Sequence, residues 1–351
     1  MKKNFLIEKR KVGLNQPTFL IAEIGSNHNR DKKTVKKLIQ KAAEAGFDSV
    51  KFQIYDPAEI FSKKITTKDV KLSHFYGLKP WWKIARDKIL MPREWFKEMF
   101  MLVRSFGMIP FSAIHRAEDC KFLLEYDLPA IKIASIDLTY HQLFKQLVKF
   151  KLPIILSSGM GDKEEINHSL KLMKKLGQKD LALLHCVSCY PPKPEEVNLN
   201  NINFLKTKYQ IPIGFSDHSK GVATSVAAVA LGAKIIEKHI TLDKNFPGPD
   251  HPFALEPSEM KRLVKEVREI EKSMGNFERK PSLREIKNRK MIRRSIISKF
   301  DIKKGELISE NKIKFARPGT GLGTHKSNLI VGKKAKMNIK AETILTLKHV
   351  K

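Results

Sequence analysis

The stretch FLIAEIGSNHNRDKKTVKKLIQKAAEAGFDSVKFQIY, residues 19–55, contains two short, β-branched apolar runs separated by a helical pattern. The runs FLIAEIG (19–25) and SVKFQIY (49–55) have the length and composition of buried strands. Between them, apolar residues recur at the spacing of one helix face, at Val35, Leu38, Ile39, Ala42 and Ala43. A strand, a helix and a second strand in this order predict a βαβ unit with parallel strands.

Further runs of the same kind follow along the chain. They are MIPFSA (108–113), AIKIAS (130–135), PIILSSG (153–159), LALLHC (181–186), IPIGFSDH (211–218) and KIIEKHIT (234–241). Helical spacing of apolar residues separates most of them. Eight strand–helix units within about 270 residues predict an α/β fold that closes into a (β/α)8 barrel, the TIM barrel. The alternative, a doubly wound open sheet, needs a Gly-rich fingerprint that residues 25–30 do not supply.

The chain changes character after a final helical pattern that ends near residue 274. The next residues, 275–291, are polar and charged. They predict a linker between a barrel domain of residues 1–274 and a C-terminal domain of residues 292–351. Short β-type runs with turn signals predict that the C-terminal domain is small and mostly β.

One connection inside the predicted barrel is unusually long. Residues 56–92 follow the second strand, show no strong periodicity, and carry Trp81 and Trp82. Long loops at the ends of barrel strands often cover the site, so we expect a lid or a substrate-binding loop here.

The composition limits the class of partner. The 351 residues carry a formal net charge of +30, which is compatible with binding to nucleic acid or to a membrane surface. The lysines are dispersed, however, and neither zinc-finger spacing nor an RNP-type aromatic motif occurs. We therefore expect no nucleic-acid partner, and the positive field would serve equally well to attract an anionic substrate.

The sequence also predicts the compartment. No run approaches the roughly 20 apolar residues that a membrane span needs, so we expect no membrane association. The basic N-terminus lacks the apolar region of a signal peptide. Three cysteines are too few for a disulfide framework and predict a cytoplasmic protein. Cys186 and Cys189 match C-x-x-C, but no second cysteine pair exists and the motif follows a strand, so we expect neither a zinc site nor a redox site.

Polar residues occupy the ends of all the predicted barrel strands, where the working residues of TIM barrels lie. One group offers ammonium and hydroxyl donors, which suit a small ligand with a phosphate and a carboxylate; it comprises Lys51, Ser112, Lys132, Ser135, Ser157 and Ser216. His218 and His239, with Glu23 opposite, suit Mn²⁺ or Mg²⁺ with open coordination positions.

These strand ends resemble the successive motifs of the sialic-acid synthase family. The motifs are IAEIGSNH (21–28), VKFQ (50–53), KIAS (132–135), SSGM (157–160), HCVSCYP (185–191), GFSDH (214–218) and EKH (237–239). PGPDH (247–251) and LEP (255–257) resemble the segment after the eighth strand. ARPGTG (316–321) resembles the signature of the antifreeze-like domain, called SAF, that follows the barrel in this family.

The resemblance implies a role for each matching residue. His218 and His239 would bind the divalent metal and, with Glu23, Lys51 and Lys132, form the catalytic set. Phosphoenolpyruvate would contact Lys51, Ser112, Lys132, Ser135, Ser157, Ser188 and Ser216. The amino-sugar would contact Gln53, Asp137, Tyr190, Asp250 and, from a partner subunit in a domain-swapped homodimer, Arg317.

The sequence departs from the family pattern at several positions. Family members often have Ser-Thr-Pro-Phe where this chain has Ser-Ala-Ile-His, residues 112–115. The placement of a phosphate-binding hydroxyl at Ser112 therefore rests on its position at the end of the third predicted strand and on only part of the family motif. Asp137 stands where a Glu is common, and Ser188 stands where some members have Asn.

The resemblance implies a synthase that joins phosphoenolpyruvate to an open-chain, N-acylated amino-sugar and releases phosphate. N-acetylmannosamine would give N-acetylneuraminate, and di-N-acylated 6-deoxy sugars would give legionaminate or pseudaminate. The main alternative is another phosphoenolpyruvate-dependent synthase that acts on a phosphorylated aldose. A basic nucleic-acid-binding protein on a vestigial barrel is a more distant alternative.

Overall fold

A computed structural model of the chain describes residues 1–276 and 278–351. The chain divides into two compact units, Met1–Gly275 and Asn276–Lys351. Among the described residues no helix is both long enough and apolar enough to cross a membrane.

The first unit is built on a closed barrel of eight parallel strands, as the sequence predicts. The strands are β3 (Phe19–Glu23), β4 (Ser49–Ile54), β5 (Ile109–Ile114), β6 (Ile131–Ile133), β7 (Ile154–Ser157), β8 (Leu181–Cys186), β9 (Ile213–Asp217) and β10 (Ile235–His239). Neighbours in sequence pair with each other, and β10 returns to pair with β3, where His239 lies opposite Glu23. This pairing brings all eight carboxyl ends to one face of the barrel.

The helices of the first unit lie in the segments that follow the barrel strands, and the longer ones pack against the barrel. They are α1 (Lys32–Ala45), α2 (Pro57–Ile60), α3 (Ser73–Tyr76), α4 (Trp81–Ile84), α5 (Phe96–Ser105), α6 (Ala117–Leu124), α7 (His141–Leu147), α8 (Lys163–Lys175), α9 (Pro194–Val197), α10 (Asn200–Lys208), α11 (Ala223–Ala230) and α12 (Pro257–Ser273). In α1, Val35, Leu38 and Ile39 are fully buried against the barrel. Asp31 caps its first turn, and Gly46 ends it in the left-handed conformation.

A short hairpin that the sequence analysis did not predict precedes the barrel. It consists of β1 (Asn4–Ile7) and β2 (Arg10–Gly13), which pair antiparallel. Phe5, Ile7 and Val12 belong to the main apolar core. The alternation of buried and exposed residues is too brief here, over four residues in each strand, to stand out in the sequence.

The long connection after β4 folds around an apolar cluster of its own. Trp81, Ile84, Ala85 and Ile89 are buried in this cluster, which is separate from the barrel core. Phe61 packs against them. The connection is therefore an ordered cover with its own small core, and we call residues 57–91 the cover segment.

The second unit contains α13 (Leu283–Ile292) and the antiparallel strands β11 (Ser295–Ser298) and β12 (Ile313–Ala316). Its core is a small aliphatic cluster that includes Ile296, Ile308 and Leu345. Helix α13 occupies much of the segment predicted as a linker, 275–291. It has a capping box at Ser282, but none of its residues is buried, so its sequence carries no apolar face to mark it as a helix.

A buried ion pair joins the last two barrel strands. The Lys238 Nζ lies 2.9 Å from the Asp217 Oδ2, and neither side chain is exposed to solvent. The two residues are cross-strand partners in the register of β9 and β10. Asp217 also accepts hydrogen bonds from Ser225 and from the backbone and hydroxyl of Ser219. This cluster fixes the two strand ends that carry His218 and His239.

We expect Lys238→Met to lower the free energy of unfolding by about 3 kcal/mol, because Asp217 would stay buried without its counter-ion. Urea denaturation measures the loss. Lys244→Met is the matched control, since Lys244 pairs with Glu259 at a partly exposed site, where the loss should stay below about 1 kcal/mol. Equal losses in the two variants would contradict a special role for the buried pair.

Candidate active site

A cavity of about 310 Å³ opens at the carboxyl-terminal face of the barrel. Side chains from successive strands reach it because alternate residues of each strand point inward. The polar and titratable residues among its lining are Lys51, Gln53, Tyr55, His115, Lys132, Ser135, Ser157, Cys186, Ser188, Tyr190, Ser216, His218, Glu237 and His239. The convergence that the strand-end pattern predicts is therefore present.

The floor of the cavity holds a network of buried charges. The Glu237 carboxylate lies between two ammonium groups, with its Oε2 3.5 Å from the Lys51 Nζ and its Oε1 3.7 Å from the Lys132 Nζ. Glu23 pairs with Lys51 at 2.8 Å. The Ser216 hydroxyl donates to Glu237 at 3.0 Å. All the charged members are at least nine-tenths buried, so each depends on the others for charge compensation.

Hydroxyl groups surround this network. The Lys132 Nζ donates to the Ser157 hydroxyl at 2.7 Å. The Ser135 hydroxyl accepts from the Gly159 N–H at 2.9 Å, and the Ser188 Oγ is buried without a hydrogen-bond partner among the described residues. An incoming anion with several oxygens would satisfy such donors.

Burial and neighbouring charges act differently on the two carboxyl groups. Burial, opposed by Lys51 and reinforced by Glu237, raises the pKa of Glu23. Burial also disfavours ionised Glu237, but the ammonium groups of Lys132 and Lys51 outweigh it and lower the pKa of that carboxyl. Glu23 is thus shifted towards its neutral form while Glu237 is held in its ionised form. The two buried lysines that share Glu237 suit an incoming anion.

Two imidazoles stand together at the edge of this floor. The ring centroids of His218 and His239 are 5.5 Å apart. His218 donates its Nδ1 hydrogen to the Val187 carbonyl at 2.9 Å, which leaves its Nε2 as the nitrogen with a lone pair. The Nδ1 of His239 is buried without a hydrogen-bond partner among the described residues. Burial lowers the pKa of His239 to about 4, so this ring is neutral near pH 7, in the form that binds metals.

Glycine at position 25 lets other groups approach the second imidazole. A Cβ there would lie 3.1 Å from the Asp250 Oδ2, 3.2 Å from the Glu23 Oε1 and 3.2 Å from the His239 Cε1. The Asp250 carboxylate is also 3.6 Å from the His239 Nδ1. No group of three or more His, Cys, Asp or Glu side chains in the described part of the chain is arranged to hold a metal ion by itself. The donor set therefore fits a divalent ion with two imidazole ligands whose other positions go to water or substrate.

Most of the predicted site residues meet in this cavity. Among them, those that line it are Lys51, Gln53, Lys132, Ser135, Ser157, Ser188, Tyr190, Ser216, His218 and His239. Glu23 lies directly behind them and accepts from the Gln53 amide at 2.9 Å. Asp250 lies beside His239. Asp137 does not line the cavity itself but contacts His115, which does. Arg317 belongs to the C-terminal unit.

The structure does not bring Ser112 to the cavity, which corrects its assignment as a phosphate ligand. Ser112 is in register with Phe52 and Ile131, whereas its neighbour Ala113 is in register with Gln53 and Lys132. Because side chains alternate along a strand, Ala113 faces inward and Ser112 faces the helices. Its hydroxyl donates to the Ala113 carbonyl.

Four of the polar residues that line the cavity were missing from the predicted set: Tyr55, His115, Cys186 and Glu237. Glu237 bridges both lysines, although the sequence analysis used its EKH motif only for the metal and gave the carboxylate no role. Its position two residues before His239, on the same face of β10, was the available signal. His115 lies just beyond β5 and lines the cavity, and only the same alternation, counted from Ala113, could have identified it.

Comparisons with known proteins agree with this geometry. The model of the NeuB family matches residues 38–279, and that of the SAF domain matches residues 293–351. The chain is 37% identical to the N,N'-diacetyllegionaminic acid synthase of Campylobacter jejuni over 93% of this chain and 98% of that protein. It is 34% identical to the pseudaminic acid synthase of the same species, over 93% and 94%. The crystal structure of the N-acetylneuraminic acid synthetase from Leptospira borgpetersenii superposes with a TM-score of 0.72 at 33% identity, covering 81% of this chain and 94% of that one.

The raised pKa of Glu23 has a measurable consequence for stability. Because its pKa is higher in the folded state than the ordinary value of 4.5, the folded protein binds more protons than the unfolded chain above that pH, and stability falls as the pH rises through the folded pKa. The free energy of unfolding of the wild-type protein minus that of Glu23→Gln should therefore decrease as the pH rises from about 5 to about 8. Urea denaturation at several pH values measures this difference.

Glu269→Gln, on the exposed side of α12, controls for the loss of any carboxylate. A difference between wild type and Glu23→Gln that is flat with pH, or that rises, would show that Glu23 is ionised throughout the range.

Proposed function

The chain belongs to the NeuB family of sialic-acid-type synthases, whose members are phosphoenolpyruvate-dependent transferases, and we propose that it condenses phosphoenolpyruvate with an open-chain, N-acylated amino-sugar. The products are a nonulosonic acid and inorganic phosphate. The observation that carries this proposal is the pairing of a floor rich in lysines and hydroxyl donors with two adjacent imidazoles in one cavity, of which His239 is held neutral by burial.

Phosphoenolpyruvate binds at the floor in this proposal. Lys51 and Lys132 neutralise its phosphate and carboxylate, and the hydroxyl groups of Ser135 and Ser157 donate to its oxygens. The Ser216 hydroxyl would turn from Glu237 to the anion when the anion binds. Glu237 holds the two ammonium groups close together before the anion arrives. Burial, opposed by the attraction of Glu237, lowers the pKa of Lys132, and a bound anion would favour the charged form of this lysine.

The reaction forms one carbon–carbon bond and breaks one carbon–oxygen bond. The methylene carbon of phosphoenolpyruvate attacks the aldehyde carbon of the sugar, and positive charge develops on the carbon that bears the phosphate. Water adds to that carbon, and the tetrahedral intermediate loses phosphate together with the bridging oxygen. One water is consumed for each phosphate released.

Glu23 is placed to handle the proton of that water. Its carboxyl group contacts both Lys51 and Gln53. A carboxyl with a raised pKa exchanges protons more readily near neutral pH than an ordinary Glu does. In its ionised form Glu23 orients the water and accepts its proton as the carbon–oxygen bond forms, and the proton then goes to the oxygen of the former aldehyde.

His218 and His239 would hold a divalent metal ion, Mn²⁺ or Mg²⁺. Bound there, the ion would supply Lewis-acid polarisation of the aldehyde oxygen. Asp250, beside His239, orients that imidazole and the sugar hydroxyls close to it.

The sugar occupies the outer part of the cavity, where apolar side chains are mixed with Gln53 and Tyr190. Ile60 and Phe61 of the cover segment and Met160 contribute apolar surface that suits the methyl group of an N-acyl substituent. Among the described lining residues, Lys51 and Lys132 are the only lysines or arginines. They are engaged by phosphoenolpyruvate, which favours an unphosphorylated sugar over a phosphorylated aldose.

The assembly and the compartment follow the family resemblance. A domain-swapped homodimer, in which Arg317 of one subunit contacts the sugar's acyl group in the other, would complete the sugar site. The reaction would take place in the cytoplasm, where phosphoenolpyruvate is made.

Phosphate release tests the function directly. Purified protein with phosphoenolpyruvate and Mn²⁺ should release phosphate only when an N-acylated amino-sugar is added. The sugars to compare are N-acetylmannosamine, di-N-acetylated trideoxy sugars and arabinose 5-phosphate. In water enriched in oxygen-18 the released phosphate should remain unlabelled, because the carbon–oxygen bond breaks. Labelled phosphate would overturn the mechanism, and release with arabinose 5-phosphate alone would move the protein to the alternative substrate.

Removal of the proposed metal ligand gives a second test. His239→Ala should lower kcat by at least about 1000-fold, since loss of an electrostatic stabiliser typically costs that much. Calorimetric titration of the metal-free protein with Mn²⁺ should show binding to wild type and much weaker binding to the variant. His141→Ala, a half-buried histidine on α7, is the control and should retain both properties. Full activity of His239→Ala in EDTA would show that the imidazole pair holds no metal.

A further inference from the structure

A histidine–aspartate pair faces the cavity and has no role in the reaction as described. The His115 Nδ1 lies 2.6 Å from the Asp137 Oδ2. The side chain of His115 is 7% exposed, and its ring lines the cavity. Asp137, which the family resemblance assigns to the sugar, does not itself line the cavity.

The barrel places the two residues side by side. His115 follows β5 directly, two residues beyond the inward-facing Ala113, and Asp137 ends the short turn that follows the neighbouring strand β6. The Tyr55 ring packs edge-on against the imidazole at 5.5 Å between centroids. Tyr55 in turn contacts Phe61 of the cover segment at 6.1 Å. The imidazole is therefore held on one side by the carboxylate and on another by an aromatic ring.

Two departures from the family pattern coincide in this contact. His115 occupies the last position of the segment where family members often have Ser-Thr-Pro-Phe, and Asp137 occupies a position where Glu is common. An Asp side chain is one methylene shorter than a Glu. In this chain the Asp137 carboxylate contacts the His115 imidazole, so the imidazole ring and not the carboxylate faces the cavity.

We propose that His115 is a sugar-contacting, specificity-determining residue and that Asp137 positions it, an inference that rests on the proposed synthase function. In the neutral ring, Asp137 accepts the Nδ1 hydrogen and thereby fixes the tautomer, which leaves the Nε2 as an acceptor. The Nε2 then accepts from a hydroxyl or an amide N–H of the sugar. Ionised phosphoenolpyruvate offers almost only acceptors, so it does not compete for this position.

The substrate dependence of the kinetics separates these roles. His115→Phe should raise the KM for the amino-sugar about tenfold and leave the KM for phosphoenolpyruvate within about twofold, because one hydrogen bond to the sugar is lost. His115→Gln keeps an acceptor at the end of the side chain and should recover part of that loss. Ile114→Val, a change of one methylene at the neighbouring buried position that faces away from the cavity, is the matched control and should alter neither KM.

A double-mutant cycle tests whether Asp137 acts through His115. Asp137→Asn should raise the sugar KM in the wild-type background but add less than about twofold when His115 is already Phe. If Asp137 touched the sugar itself, its substitution would cost the same factor in both backgrounds. Equal factors would therefore overturn the positioning role.

The remaining outcomes are also decisive. An unchanged sugar KM in His115→Phe, or an equal rise in both KM values, would overturn the inference and leave the synthase function intact. Thermal unfolding of each variant shows that the protein is still folded at the assay temperature, and an unchanged KM for phosphoenolpyruvate distinguishes a lost sugar contact from a damaged site, because His115→Phe also leaves the Asp137 carboxylate without its partner. Absence of phosphate release by wild type with every sugar would overturn the proposed function and this inference together.

Discussion

Hydrogen bonding between β3 and β10 closes the sheet, and the whole cavity depends on that closure. In an open sheet the first and last strands would lie at opposite edges, and Glu23 could not meet Glu237 or His239. The register that pairs His239 with Glu23 places the imidazole of the last strand beside the carboxyl of the first. Period-two alternation then decides which side chains enter the cavity. The network of buried charges on the cavity floor and the pair of imidazoles both result from this geometry.

Closure also makes the buried charges tolerable. A lone ammonium group in the barrel would lose most of its hydration without compensation. Lys51 and Lys132 share Glu237, and Lys51 has Glu23 as a second partner. The resulting pKa shifts run in opposite directions for the two carboxyl groups, so the site has one permanent anion and one group that titrates more easily. On the outer face, Asp217 and Lys238 form a complete pair that has no need of a ligand.

The sequence predicts the barrel well because its signal repeats. Eight apolar runs, each ending in polar residues, identify strands whose ends converge, and most of the residues proposed for the site meet there. The errors arise where the assignment of a side chain to the cavity depends on the exact position of a single residue in its strand. Ser112 was placed in the cavity, but a shift of one position moves a side chain to the other face of a strand, and Ala113 is the inward residue. The contact between His115 and Asp137 joins two strand ends that are far apart in sequence, so no local pattern could reveal it. The hairpin β1–β2 and helix α13 are too short or too evenly polar to show a periodicity.

The cavity has a floor formed by residues at the strand ends and an outer part formed largely by the connections. This division explains why the type of reaction is easier to infer from the sequence than the identity of the sugar. The residues assigned to phosphoenolpyruvate and to the metal lie at the ends of barrel strands, where packing on all sides restricts what can change. The residues assigned to the sugar lie largely in the connections, such as the cover segment and the turn that ends at Asp137. Connections tolerate substitution because few buried contacts depend on them. Tyr55 links the two regions, since it follows β4 directly and contacts both His115 and Phe61. A change in the cover segment is therefore transmitted through Tyr55 to the imidazole that we propose for sugar contact, whereas the lysines that we propose for phosphoenolpyruvate lie in the barrel strands.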